Sequence, residues 1–121
     1  MIKAIKFVNV PVADQDRALE FYTKRLGFVV ATDQPFDDEQ RWIELRIPSA
    51  DTRIVLFTPA EHVDRIGTPS HITFLADDVD ETFRQLRERG VEFDEEPQHA
   101  DWGSAAVFRD PDGNTFVLSS R

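Results

Sequence analysis

The chain of 121 residues has no cysteine, which excludes disulfides, thiolate metal sites and cysteine nucleophiles. Its formal charge is −9, from 14 basic against 23 acidic side chains, which repels a phosphate backbone and argues against nucleic acid as partner, whereas an acidic surface draws in cationic small molecules. With 40% hydrophobic residues and ten phenylalanines, one domain with a real core is expected over residues 1–121. No apolar stretch approaches the roughly 20 residues of a membrane span, and Met1 leads into no cleavage signal, so no membrane partner and a cytoplasmic location are expected.

Ile5 to Val12 reads as a buried strand, and Asp14 stands where a helix N-cap belongs. The spacing of Ala18, Leu19, Tyr22 and Leu26 predicts a helix with one apolar face, with Lys24 and Arg25 in its last turn and Gly27 at its C-terminal stop. Phe28 to Thr32 starts a strand, and Gln34 to Gln40 reads as a polar loop. Arg41 to Ile47 alternates strictly. Ile43, Leu45 and Ile47 form one apolar face for packing against a helix, and Trp42, Glu44 and Arg46 point the other way. Pro48 to Asp51 is a turn, and Arg53 to Thr58 makes a fourth strand.

Pro59 to Pro69 separates this half from a second of the same design. Ser70 to Ala76 is a strand, Asp78 and Glu81 form a capping box, Val79, Phe83 and Leu86 give a helical stripe, and Gly90 ends it. Val91 to Phe93 begins the next strand, Gln98 to Gly103 reads as a loop, Ser104 to Arg109 alternates, and Thr115 to Ser119 closes the chain. Asp110, Asp112 and Gly113 belong to an Asp-Pro-Asp-Gly turn, so these acids read as turn chemistry and not as catalysts. No serine has a histidine at a nucleophile-elbow spacing, and His62 and His99 fall in predicted loops with no role. The order β-α-β-β-β therefore occurs twice, as module one over about 1–60, a linker over 59–69 and module two over 70–121.

The segment from Val10 through Tyr22 to Phe28, and Phe108-Arg-Asp-Pro-Asp-Gly-Asn-Thr-Phe-Val-Leu near the end, resemble the opening and closing motifs of the vicinal oxygen chelate superfamily. Ser70-His-Ile-Thr-Phe and the Asp78 to Gly90 helix lie between them, so the resemblance spans essentially the whole chain and includes the glyoxalase, bleomycin-resistance and extradiol dioxygenase branches. It implies an α+β fold of two βαβββ modules whose curved mixed sheets enclose a cleft, often completed in a homodimer.

The resemblance also implies a divalent metal held from the first and last strands of each module. Those positions fall here on Phe7, Leu56, His71 and Val117, of which only His71 is a metal-ligand type. One histidine does not make a zinc or iron oxygenase site, so no cofactor is expected, dioxygenase chemistry loses its basis, and a rebuilt site pairing Glu44 with His71 is the lesser alternative.

Period-two alternation from those positions expects Phe7, Asn9, Thr58, Thr73 and Ser119 on the cleft face with Trp42, Glu44 and Arg46, joined by Ala106 and Phe108 from the second half and by Trp102 at the rim. Phe7 and Phe108 read more readily as core than as ligand contacts, since aromatic stripes usually pack. Such a lining suits a flat or apolar small molecule with a few polar groups for orientation. Two functions follow. One is a binding protein of the bleomycin-resistance type, holding an aromatic or cationic compound without the usual metal; the other is a glyoxalase-like lyase or isomerase with Glu44 or His71 as general base.

Overall fold

The computed structural model describes residues 1–61 and 63–120, so His62 of the linker lies outside the described residues. The chain divides into two compact units, Met1–Ile66 and Gly67–Arg121. Each is a sheet with one long helical segment on one face.

In the first unit β1 (Phe7–Pro11) runs parallel to β4 (Arg53–Phe57), and β3 (Arg41–Arg46) joins β4 antiparallel on its other side. β2 (Val29–Pro35) completes the order β1-β4-β3-β2, with a bulge between Val30 and Thr32. β2 thus runs into the loop expected from Gln34, because every residue from Thr32 to Pro35 has a partner on β3. The alternation of β3 is realised in burial, with Ile43 and Leu45 completely buried. Directly opposite them in the ladder stand Leu56 and Ile54, so these four side chains share one face of the sheet. Removing each from water contributes about 1.5–3 kcal/mol.

That face is covered by α1 (Gln15–Glu20) and the wider helical turn Phe21–Arg25 that continues it, through buried Ala18, Phe21 and Tyr22. Asp14 caps the helix by accepting from the Arg17 N–H. An α-helix running to Gly27 was expected; the last turn instead opens to π spacing, with the Leu26 N–H donating to the Phe21 carbonyl. Within this turn the Thr23 hydroxyl also donates to the Leu19 carbonyl at 2.7 Å. Gly27 then turns the chain at φ 83, and its neighbour Phe28 donates back to Tyr22.

A buried carboxamide ties the helix to the sheet. Gln15 is 9% exposed; its Nε2 donates to the carbonyls of Arg41 and Leu56 and its Oε1 accepts from the Arg41 N–H. Arg41 reaches out from the same point to Asp16 at 2.8 Å and Asp33 at 2.9 Å, linking α1 and β2 across the start of β3.

The second unit repeats the plan. β5 (Pro69–Leu75) runs parallel to β9 (Thr115–Ser119), β9 pairs with β8 (Gly103–Arg109), and β8 pairs with β6 (Glu92–Phe93). The expected loop over 98–103 contains a further short strand, β7 (Gln98–Ala100), which also pairs with β8. β6 and β7 together occupy the place of β2, interrupted by an Asp-Glu-Glu-Pro stretch whose proline has no N–H for a ladder. α2 (Val79–Glu88) starts at Asp78, which accepts from the Glu81 N–H, and buries Val79, Phe83 and Leu86. Its Phe83 meets Phe93 edge-on at 4.7 Å, and the ring contacts run on through Phe108, Phe116 and Phe74.

The Asp110 turn is a structural clasp. Buried Asn114 donates from its backbone and side chain to the Asp110 carboxylate and accepts the Gly67 N–H at 2.8 Å. Gly67, at φ 84, lies so near this turn that a Cβ there would meet the Asp112 carbonyl at 2.9 Å.

Candidate functional site

The helix-free face of the first sheet gathers aromatic and charged side chains. Register decides its membership: Glu44 lies opposite Val55 and Arg46 opposite Arg53 on β4, while on the other side of β4 Phe7 neighbours Arg53 and Asn9 neighbours Val55. Phe7, Asn9, Trp42, Glu44 and Arg46 are therefore brought together. The Trp42 ring meets Phe7 edge-on at a centroid distance of 5.7 Å and Phe36, just beyond β2, at the same 5.7 Å. Phe36 is 62% exposed, so this aromatic group opens to solvent.

Glu44 sits at the junction between the rings and the cations. One carboxylate oxygen accepts from the Trp42 indole N–H at 2.7 Å and the other from Arg53 at 3.1 Å. The indole bond first, then Arg53 and the nearby Lys6 charge, hold its pKa below the ordinary carboxylate value, against a desolvation effect of opposite sign. This carboxylate stays ionised and has little affinity for a proton. Beyond it a cavity of about 440 Å³ opens, lined by residues 3–6 with Glu44, Asp51 and Arg53.

Two expected placements are corrected by the ladders. Leu56 faces the helix beside Ile43, and Val55 takes the position beside Asn9 and Glu44; the alternation carries Thr58 away with Leu56, and its backbone pairs with the Gln40 carboxamide. In the second unit Phe108 is 1% exposed and Ala106 5%, both on the helix side with Phe116 and Leu118, so neither lines the open face. Ala105, Val107 and Arg109 take that face, with Val117 opposite Val107 and Thr73 opposite Val117. Ser119 pairs with Ala105 on the same side and is buried. Trp102 stands in the turn before β8, 50% exposed.

His71 is exposed on a bulge. Pro69 lies opposite Thr115 and Thr73 opposite Val117, so β5 carries extra residues over that stretch, and His71 absorbs them at φ 63. The Ser70 hydroxyl fixes the bulge, donating to the Thr115 carbonyl and accepting the Ile72 N–H. His99 lies on β7, where its Nε2 is 3.0 Å from both oxygens of Asp80 at the start of α2.

Of the four positions that the resemblance implied, Phe7 and Val117 lie on the open faces, His71 sits on its bulge and Leu56 faces the helix, with Val55 beside Glu44 in its place. Among the described residues no three His, Asp or Glu side chains are grouped as ligands.

Over residues 4–118 the sequence matches the family model of the Glyoxalase/Bleomycin resistance protein/Dioxygenase superfamily. The chain belongs to this superfamily. It is 37% identical to the uncharacterized protein YetH of Bacillus subtilis (strain 168), over 98% of both chains. A superfamily member from Sphaerobacter thermophilus superposes with a TM-score of 0.89 at 35% identity, over 98% of this chain and 97% of that one. TnmS3, an antibiotic binding protein from Streptomyces sp. CB03234, superposes with a TM-score of 0.86 at 36% identity, over 98% and 95%.

Within the superfamily fold, several members of this site escape sequence reasoning. Arg53, Val55 and Phe36 reach the open face through register and a loop, and Lys3 and Lys6 precede the first strand. The one available signal was Arg53, a charged residue at the head of an otherwise apolar run.

Proposed function

We propose that this superfamily member is a small-molecule binding protein that receives a flat aromatic compound on the helix-free face of its first sheet, without the metal used elsewhere in the superfamily. The observation that carries the reading is the solvent-open aromatic group of Phe7, Trp42 and Phe36, oriented by a carboxylate that is itself bonded to the indole. Rings held in this way offer a stacking surface without first having to be ordered. The similarity to an antibiotic binding protein over nearly the full chain supports it further.

Chemistry at Glu44 is disfavoured on this reading. A general base needs a free lone pair and a pKa near the working pH, whereas both oxygens of Glu44 accept strong bonds and its pKa is held low. His71 keeps the lyase or isomerase reading open, because its exposed imidazole is held in a left-handed backbone conformation that only the surrounding bulge sustains. The proposal includes a cytoplasmic homodimer, supported by exposed apolar side chains such as Leu75 on edge strand β5.

Titration with planar aromatic compounds, followed by tryptophan fluorescence, tests the reading. Saturable quenching that is lost in Trp42→Ala, in protein shown metal-free by elemental analysis, is expected. Absence of saturation across the panel, or binding that appears only after zinc, nickel, manganese or iron is added, overturns it. Light scattering after gel filtration checks the dimer.

A further inference from the structure

On a chain of net charge −9, the cavity beside Glu44 is a local exception in sign. Lys3, Lys6 and Arg53 line it, against Glu44 and Asp51. Arg46 stands directly opposite Arg53 in the β3/β4 ladder, which sets two guanidinium groups on the same face as cross-strand neighbours. Like charges so placed repel, and sheets normally avoid them. Glu44 and Asp51 offset only part of this, two unit charges against those of Lys3, Lys6, Arg53 and the neighbouring Arg46. Lys3 and Arg46 make no ion pair among the described residues.

From this arrangement we infer that the ligand carries an acidic group, a carboxylate, sulfonate or phosphate, which enters the cavity while its ring rests on Trp42 and Phe7. This inference rests on the proposed aromatic binding and adds the charge of the ligand to it. It reverses the expectation drawn from overall composition, since the field a ligand meets is set by the nearest charges once screening removes those beyond about 10 Å. Arg53 accepts the role readily, as Glu44 takes one contact from its Nη1 at 3.1 Å while the side chain stays 42% exposed. Arg46 and Lys6 supply charge from either side.

The test compares three probes of one ring system at neutral pH and low salt: naphthoate, naphthalenemethanol and naphthalenemethylamine, by calorimetry. Naphthoate is expected to bind about threefold to tenfold more tightly than the alcohol, with the amine weakest. The preference should shrink as salt is raised to about 0.3 M. Arg46→Gln and Lys6→Gln, both at exposed positions, should each bring the ratio of naphthoate to alcohol affinity down towards one, and a ratio unchanged in both variants overturns the inference. If the alcohol or amine binds as tightly as naphthoate, the inference fails while aromatic binding stands. If none of the three binds, both fail together.

Discussion

Replacing Glu44 by glutamine preserves the shape of the side chain and removes its charge, which isolates what the carboxylate contributes. Its two oxygens accept from Trp42 at 2.7 Å and from Arg53 at 3.1 Å, whereas a carboxamide offers one oxygen and turns an NH2 towards the other donor. Hydrogen bonds to a charged acceptor contribute about 1.5–3 kcal/mol and neutral ones about 1 kcal/mol. Arg53 is 42% exposed and can turn to water, so its share of the loss is small. The expected destabilisation is about 1–2 kcal/mol at neutral pH.

The sign of the pH dependence follows from the depressed pKa of Glu44, set first by the indole bond and then by Arg53. A carboxylate with a lowered folded-state pKa stabilises the fold fully above the unfolded value of about 4.3, and that contribution fades as pH falls through the folded value. Urea denaturation of wild type and Glu44→Gln should give a difference that is constant above about pH 5.5 and closes in acid. A difference that persists undiminished to about pH 3 refutes the account, because it means the carboxylate was not held ionised by folding.

Gln15→Ala removes a side chain that satisfies the Arg41 N–H and bonds the Arg41 and Leu56 carbonyls, and should cost about 2–3 kcal/mol in urea denaturation; a loss below about 0.5 kcal/mol would mean water replaces it. Phe108→Ala should cost about 3–5 kcal/mol by leaving a cavity in the phenylalanine cluster, while leaving the ligand affinity of the surviving folded protein unchanged. A Phe108→Ala protein of native stability would return that ring to the open face. Asp78→Ala should lower stability by about 1 kcal/mol through the lost N-cap of α2, read from the thermal midpoint.

The elements whose faces contrast in polarity were legible. In β3, Ile43 and Leu45 alternate with Trp42, Glu44 and Arg46, so the pattern alone says which side meets a helix. β4 defeats the same reasoning, since Ile54, Val55 and Leu56 are all buried and a continuous apolar run has no readable parity; the assignment slipped by one residue from Val55 to Leu56. β8 fails similarly. Ala105 and Val107 on one side and Ala106 and Phe108 on the other differ too little in polarity, and only pairing with β9 and contact with Phe93 settle which is inside. The cationic cavity was hidden for another reason, being assembled from the chain start, β3 and β4 by register that composition does not encode.

His71 offers the sharpest separation between structural and functional constraint. A histidine at φ 63 costs on the order of 1 kcal/mol relative to glycine, which adopts that region freely. Nothing in the bulge needs the imidazole itself: Ser70 supplies the bonds to Thr115 and Ile72, and the ladder resumes at Thr73. His71→Gly should therefore stabilise the fold, or leave it unchanged where the freer unfolded chain offsets the relief, and His71→Ala should destabilise it. If His71→Gly also leaves aromatic binding intact, the imidazole has no part in the site and the bulge is a device of β5 alone. Should it instead weaken binding or abolish a turnover while raising the urea midpoint, the strain is retained for the side chain it presents, and the lyase or isomerase reading gains the base that Glu44 cannot supply.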